Sequence, residues 1–392
     1  MKPLFLSLLL ISTNLFAQTG KPAITILGVT HTGQLMSAAQ QPAALRSFVE
    51  RVNPNALLIE RSPEEYARGD FYEFTYEQQF VLVPFAKQHN IPIHPIDWLP
   101  KEDDIRLAFG VQDLEVPAFT RSPTGFWGFT SFSDSSVLEQ SLYYAEESSE
   151  RNSNLEWYAM YPQKQVNADG ARRLFLYRTF MQAKRIEAVA KNYTEQDTLL
   201  VVIGSLHKAD IEAILSGAGY TIINSARFGV IAPEEIKRNY TTLDAFAIAS
   251  FNLLGVQSRN NVTDHPFLQE AINHIKTVAS PEAQFFATKY QLFTKKITAK
   301  EAIVQYNALL KTLPKTTVFT WTGVKNRARL DSYVDPFGNM TLWQRLHLEL
   351  AREYFKTGDR ANYTKEQNLL LAELQGLKKA MLISYMPLYI EK

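Results

Sequence analysis

Two apolar runs with little polar interruption stand far apart in the chain: Ile24-Thr25-Ile26-Leu27-Gly28-Val29-Thr30-His31 and Leu199-Leu200-Val201-Val202-Ile203-Gly204-Ser205-Leu206-His207. Each reads as a strand buried on both faces, as in a parallel sheet. Each ends in Gly-x-x-His, which puts a histidine just past the strand's carboxyl end, where open α/β sheets bind ligands. With 17 Gly and 7 His in 392 residues, chance predicts about 0.3 such motifs. Two matched copies, each closing a strand, point to a site.

The pattern between and around them alternates strand and helix. Gln41 to Val52 has helical spacing, with Leu45, Phe48 and Val49 on one face. Ala56 to Ile59 is a short strand ending in Glu60-Arg61, and Phe74 to His89 is a helix leading into a third strand, Ile91 to Trp98, with Asp97 near its end. Ser135 to Glu150, behind an Asp134 cap, and Ala171 to Lys191 are further helices. In the second of these Arg178 shares a face with Leu174 and Met181. After the second Gly-x-x-His come a helix over Ala209 to Leu215 and a last strand over Tyr220 to Asn224. The expected fold is therefore α/β: a central, mostly parallel sheet flanked by helices.

Beyond about residue 240 the strand signals stop. Ser280-Pro281 is a helix start, Thr298-x-x-Glu301, Thr341-x-x-Gln344 and Thr364-x-x-Gln367 read as capping boxes, and Gly358 stops the helix ending near Lys356. The expected organisation is a signal peptide over 1–17, an α/β domain over 18–240 and a helical C-terminal region over 241–392. Between Phe109 and Ser133, Phe119, Phe126, Trp127, Phe129 and Phe132 are interleaved with Gly, Pro and Ser/Thr. That stretch reads as a loop, either folded over the site or burying its rings against its own domain.

Composition narrows the function. A formal net charge of +1 with no Lys/Arg block argues against nucleic-acid binding. Lys2, the apolar Leu4–Ile11 and Leu15-Phe16-Ala17 have the form of a cleavable export signal, and no later run is long enough for a membrane span. The expected location is periplasmic or secreted. The chain has no cysteine, so disulfides, thiolate ligands and a cysteine nucleophile are excluded. A metal would need His, Asp, Glu or water.

On one rim, His31, Glu60, Asp97 and His207 make a ligand set suited to Zn, Mn, Co or Fe(II), with open positions for water. Such a water is a nucleophile near neutral pH. Glu60 would bind metal or act as general base, and Arg178 would hold a substrate carboxylate or a developing oxyanion. Competing assignments remain for each: a surface pair for Glu60-Arg61, a helix cap over Pro100–Leu107 for Asp97, a snorkelling side chain for Arg178. His89, His94, His265, His274 and His347 lack spaced partners and read as structural. There is no Gly-x-Ser-x-Gly elbow, no phosphate-binding glycine loop and no His-Glu-x-x-His.

Gly28-Val29-Thr30-His31, Leu57-Leu58-Ile59-Glu60, Arg178 with Met181 and Ile186, and Gly204-Ser205-Leu206-His207 together resemble the TraB/TIKI superfamily. That group includes erythromycin esterase-like and ChaN-like haem-uptake proteins. The helix and strand from Phe74 to Asp97 look closer to an uncharacterised bacterial branch. The resemblance spans about residues 22–230, and Thr32-Gly33-Gln34 departs from it by offering no further ligand after His31. It implies a metal-dependent hydrolase of peptide or ester bonds, with His31, Glu60, Arg178 and His207 as site residues. Because the group also contains haem binders, a non-catalytic haem- or ligand-binding protein is the alternative it carries. The substrate is expected to be a small molecule or peptide. A protein partner for the C-terminal helices is a third possibility, which nothing in the sequence identifies.

Overall fold

A computed structural model describes residues 20–72, 74–98, 129–147, 153, 155, 170–323 and 326–390. The expected signal peptide, the Pro100–Leu107 helix and Phe119, Phe126 and Trp127 lie outside these residues.

Five strands form one sheet in which every pairing is parallel. They are β1 (Ala23–Val29), β2 (Ala56–Ile59), β3 (Ile93–Pro95), β4 (Thr198–Gly204) and β5 (Thr221–Ile223), in the order β3-β2-β4-β1-β5. The four core positions of β2, and β1 and β4 from their second residues on, are buried. That is why these segments lack the polar alternation of a half-exposed strand. From β1 the chain moves outward toward β2 and β3, whereas from β4 it moves the other way to β5. The direction of winding therefore reverses between β1 and β4, the adjacent strands that carry the two Gly-x-x-His motifs.

The helices follow from that winding. Helix α1 (Pro42–Val52) places Leu45, Phe48 and Val49 on one sheet face with Leu27, Val29, Leu57, Ile59, Leu200 and Val202. The opposite face, Ile24, Ile26, Leu58, Val201 and Ile203, is covered by Ala183 and Ile186 of a long helix (Gly170–Ala190) and by Ile211 and Leu215 of the helix after β4 (Ser205–Gly217). Opposite crossover directions put the connecting helices on opposite faces.

The segment Phe74–His89 departs from a plain helix. A π-turn over Glu77–Leu82 precedes α2 (Val83–Gln88), and the 170–190 and 205–217 helices become α3 and α4. Pro84 explains the π-turn. It has no N–H for the carbonyl of Phe80, four residues back. The ladder widens, Val83 N–H reaches Gln78 O, and Arg46 Nη2 donates to the stranded Phe80 carbonyl at 3.2 Å.

Other expectations are corrected locally. Ser135–Glu150 is not one helix: a 3₁₀ turn over Ser135–Leu138, capped by Asp134 as expected, is followed by a short helix at Tyr144–Glu147. Helix α4 begins at Ser205, directly after β4, so His207 sits in its first turn rather than in a loop.

The C-terminal region is helical: α5 (Thr242–Leu253), α6 (His265–Ile275), α7 (Pro281–Phe293), α8 (Ala299–Leu310), α9 (Leu342–Lys356), α10 (Arg360–Glu373) and α11 (Gly376–Ile390). Ser280, Thr298 and Thr341 cap as expected. The Thr364 box does not exist, because Asp359 caps α10 and Thr364 lies inside it. The core on the α1 face runs without a break into α5, α6 and α7, while α9 and α11 share a further cluster with Phe129. Phe129 and Phe132 thus pack inward, Phe132 N–H donating to Gln257 Oε1 at 2.7 Å. No helix among the described residues is long and apolar enough to cross a membrane.

Candidate functional site

Past the carboxyl ends of β1, β2 and β4 the sheet register brings four residues together. Val29 pairs with Gly204 and Ile59 with Val202, so His31, Glu60 and the β4–α4 junction arrive at one level. Glu60 is the hub. Its Oε2 accepts from Gly204 N–H at 2.6 Å, and its Oε1 accepts from Arg178 Nη2 at 2.7 Å. His31 Nε2 faces Oε2 at 3.7 Å, and His207 Nε2 faces Oε1 at 3.6 Å. With Glu60 and Arg61 both buried, the surface-pair reading is excluded.

Each imidazole is turned by a partner on its other nitrogen. His31 Nδ1 lies 2.8 Å from Glu77 Oε1. His207 Nδ1 lies 2.7 Å from Thr179 Oγ1, whose own hydrogen goes to Phe175 O at 2.9 Å. That hydroxyl therefore accepts the Nδ1 proton of His207, which leaves Nε2 bare. Phe175 also stacks on His207 with centroids 4.2 Å apart. His31 adopts φ = 50°, a left-handed conformation costing roughly 1–2 kcal/mol in a residue with a Cβ. Strain of this kind gathers at functional positions.

The carboxylate of Asp97 is fully engaged elsewhere. Arg178 Nε and Gln182 Nε2 donate to Oδ1, at 2.8 and 2.7 Å, and Arg178 Nη2 and Tyr72 OH donate to Oδ2, at 2.7 and 2.6 Å. Asp97 thus holds Arg178 rather than opening toward the histidines. Arg178 does not snorkel: two of its nitrogens are bound to buried carboxylates, and Nη1 has no hydrogen-bond partner among the described residues.

Burial works against the charge on Asp97, but Arg178's charge and the three sets of hydrogen bonds outweigh it and hold the carboxyl near 2. Burial pulls His207 down to about 4 despite the Glu60 charge, so this imidazole is neutral at pH 7. Burial lowers His31 as well, yet the carboxylates of Glu77 and Glu60 overcome it and raise its pKa above the ordinary value.

Glu60 and Asp97 face the buried guanidinium of Arg178, while the buried Glu77 faces His31, whose pKa the carboxylates of Glu77 and Glu60 raise against the effect of burial. Counted against Arg178 alone the three carboxylates are in excess, a protonated His31 offsets one of them, and an uncompensated buried charge costs several kcal/mol. The bare Nε2 of His207 also faces a carboxylate oxygen with no proton between them. A divalent cation fits both facts, with His31 Nε2, His207 Nε2 and Glu60 as donors and Asp97 outside the set. Among the described residues no group of three or more His, Asp or Glu side chains is placed so that it could hold a metal ion as it stands. The fit is one of donor chemistry and orientation.

Sequence reasoning did not single out Glu77, Thr179, Tyr72 or Gln182. Thr179 and Gln182 had a usable signal, since they lie one and four residues after Arg178 on α3. Glu77 had none, because the π-turn changes which way its helix faces.

Compared with family models, with curated proteins and with solved structures, the chain matches none.

Proposed function

We propose that the protein is an exported, metal-dependent hydrolase acting on a peptide or ester bond, at a site formed by His31, Glu60, Arg178 and His207. The observation that carries this reading is the buried Glu60 carboxylate, faced by two imidazoles whose Nε2 atoms are both turned toward it. The TraB/TIKI resemblance points the same way, and export rests on the N-terminal pattern.

A divalent ion held there would act as a Lewis acid and make a water acidic enough to serve as nucleophile near neutral pH. The chain's own residues supply the rest. Arg178, held by Asp97 and Glu60, would offer its remaining N–H groups to a developing oxyanion or a substrate carboxylate. Glu60, with a remaining lone pair on each oxygen, would ligate the ion or take a proton from water. His207 stays neutral and stacked, which keeps its donor atom fixed.

Purified full-length protein is assayed on p-nitrophenyl esters and a mixed peptide library, metal-free and with Mn, Co or Zn. Metal-stimulated hydrolysis that vanishes in folded His31→Ala and His207→Ala variants is expected. Hydrolysis that persists in both variants contradicts the assignment. A haem Soret band lost in the same variants, without hydrolysis, replaces it with the ligand-binding reading.

A further inference from the structure

Glu77 is fully buried, one of its oxygens has no hydrogen-bond partner among the described residues, and it lies on an irregular helical turn. Nothing about packing demands a carboxylate there. Desolvating a charge costs several kcal/mol, and an apolar residue of similar size would fill the space more cheaply. The irregular turn aims it. Pro84 widens the ladder into the π-turn that begins at Glu77. Gln78 Nε2 then bridges Glu77 Oε1 and the Val202 carbonyl of β4, both at 3.2 Å. The carboxylate is thereby tied to the strand that carries Gly204 and leads into His207. Its one close contact with the site is His31 Nδ1 at 2.8 Å.

We propose that Glu77 is a positioning residue: its carboxylate fixes the Nδ1–H tautomer of His31 and so turns a bare Nε2 toward Glu60 for a divalent cation. This rests on the metal-site reading of His31, Glu60 and His207. Glu77 reaches the ion only through His31. Thr179 does the same for His207 with a neutral oxygen, so the two imidazoles are unequal donors, and His31, backed by an anion, is the more basic.

The test uses the full chain with two variants. Glu77→Leu removes the acceptor while filling the space, and Glu77→Gln keeps an acceptor without the charge. Nitrogen-15 NMR of metal-free protein at pH 9, with the His31 signals assigned by their loss in His31→Asn, reads the tautomer. Calorimetric titration with zinc reads affinity. Wild type is expected to carry the His31 proton on Nδ1, and Glu77→Gln to keep it there with zinc binding weakened severalfold. Glu77→Leu is expected to populate Nε2–H and bind zinc about 10- to 100-fold more weakly. A wild-type proton on Nε2, or zinc affinities of both folded variants within twofold of wild type, overturns the proposal. If Glu77→Leu does not fold, Glu77→Gln and the wild-type tautomer decide. If wild type binds no zinc, the metal-site reading fails by itself, and the tautomer still decides whether Glu77 orients His31.

Discussion

Gly204 has no room for a side chain. Its backbone is ordinary for any residue, φ −54° and ψ 134°, so the requirement is one of space. A Cβ there would lie 2.8 Å from His31 Nε2 and 3.3 Å from Glu60 Oε2. Gly204→Ala is therefore expected to keep the fold and push His31 off Glu60. A displacement near 1 Å at a reacting centre can cost about 100-fold in rate, so metal-stimulated hydrolysis should fall by about that factor with an unchanged circular dichroism spectrum. At the same scale, Arg178→Ala leaves Asp97 and Glu60 buried without their cation, and a loss of about 3–5 kcal/mol is expected in urea unfolding. Asp97 adds a pH signature. Its folded pKa, about 2, lies below the ordinary value of 3.8, so its contribution of about 2 kcal/mol is complete above pH 4. That contribution is lost as the pH falls through 4 toward 2. The stability difference between wild type and Asp97→Asn should shrink over that window and be flat from pH 5 to 8.

At the scale of elements, the sequence was most readable where one physical rule acted alone. β1, β2 and β4 are buried on both faces, so uninterrupted apolar runs identified them, and the register then followed to place His31 and His207 side by side. Helix starts were equally readable at Ser280, Thr298 and Thr341, where a hydroxyl caps the third N–H after it. Thr341→Ala is expected to cost about 1 kcal/mol in thermal or urea unfolding. Where two rules competed, the pattern misled. Apolar spacing from Phe74 to His89 said helix, but Pro84 forced a π-turn, and with it the aim of Glu77 was lost. Thr364-x-x-Gln367 satisfies the capping pattern, yet Asp359 begins the helix one turn earlier. The role of Asp97 was illegible because its partners, Tyr72, Arg178 and Gln182, come from segments up to 85 residues away.

For the whole molecule, the C-terminal helices are part of what the sheet needs. Helix α5 is buried almost all round, and the core on the α1 face passes through it into α6 and α7. At the far end a buried ionic network holds the last helix. Lys289 and Arg345 flank Glu349, Arg345 also reaches Asp335, and Tyr389 OH donates to Glu349 at 2.6 Å. Arg259 caps the Leu388 carbonyl at 2.7 Å. A chain ending at Tyr240 would leave Arg46 of α1 without Asp244 and would uncover the core around Leu35 against which α5 packs. It is expected to lose cooperative unfolding and to elute as aggregate on size exclusion. A soluble, cooperatively folding fragment would show that the α/β part stands alone.

The proposed function turns on a divalent cation held by His31, Glu60 and His207. Calorimetric titration of metal-free, full-length protein with Mn, Co and Zn measures this directly. One divalent ion per chain with micromolar or tighter affinity is expected, abolished in folded His31→Ala and His207→Ala and retained in Asp97→Asn. No binding at micromolar concentrations, or binding that both histidine variants keep, would contradict it.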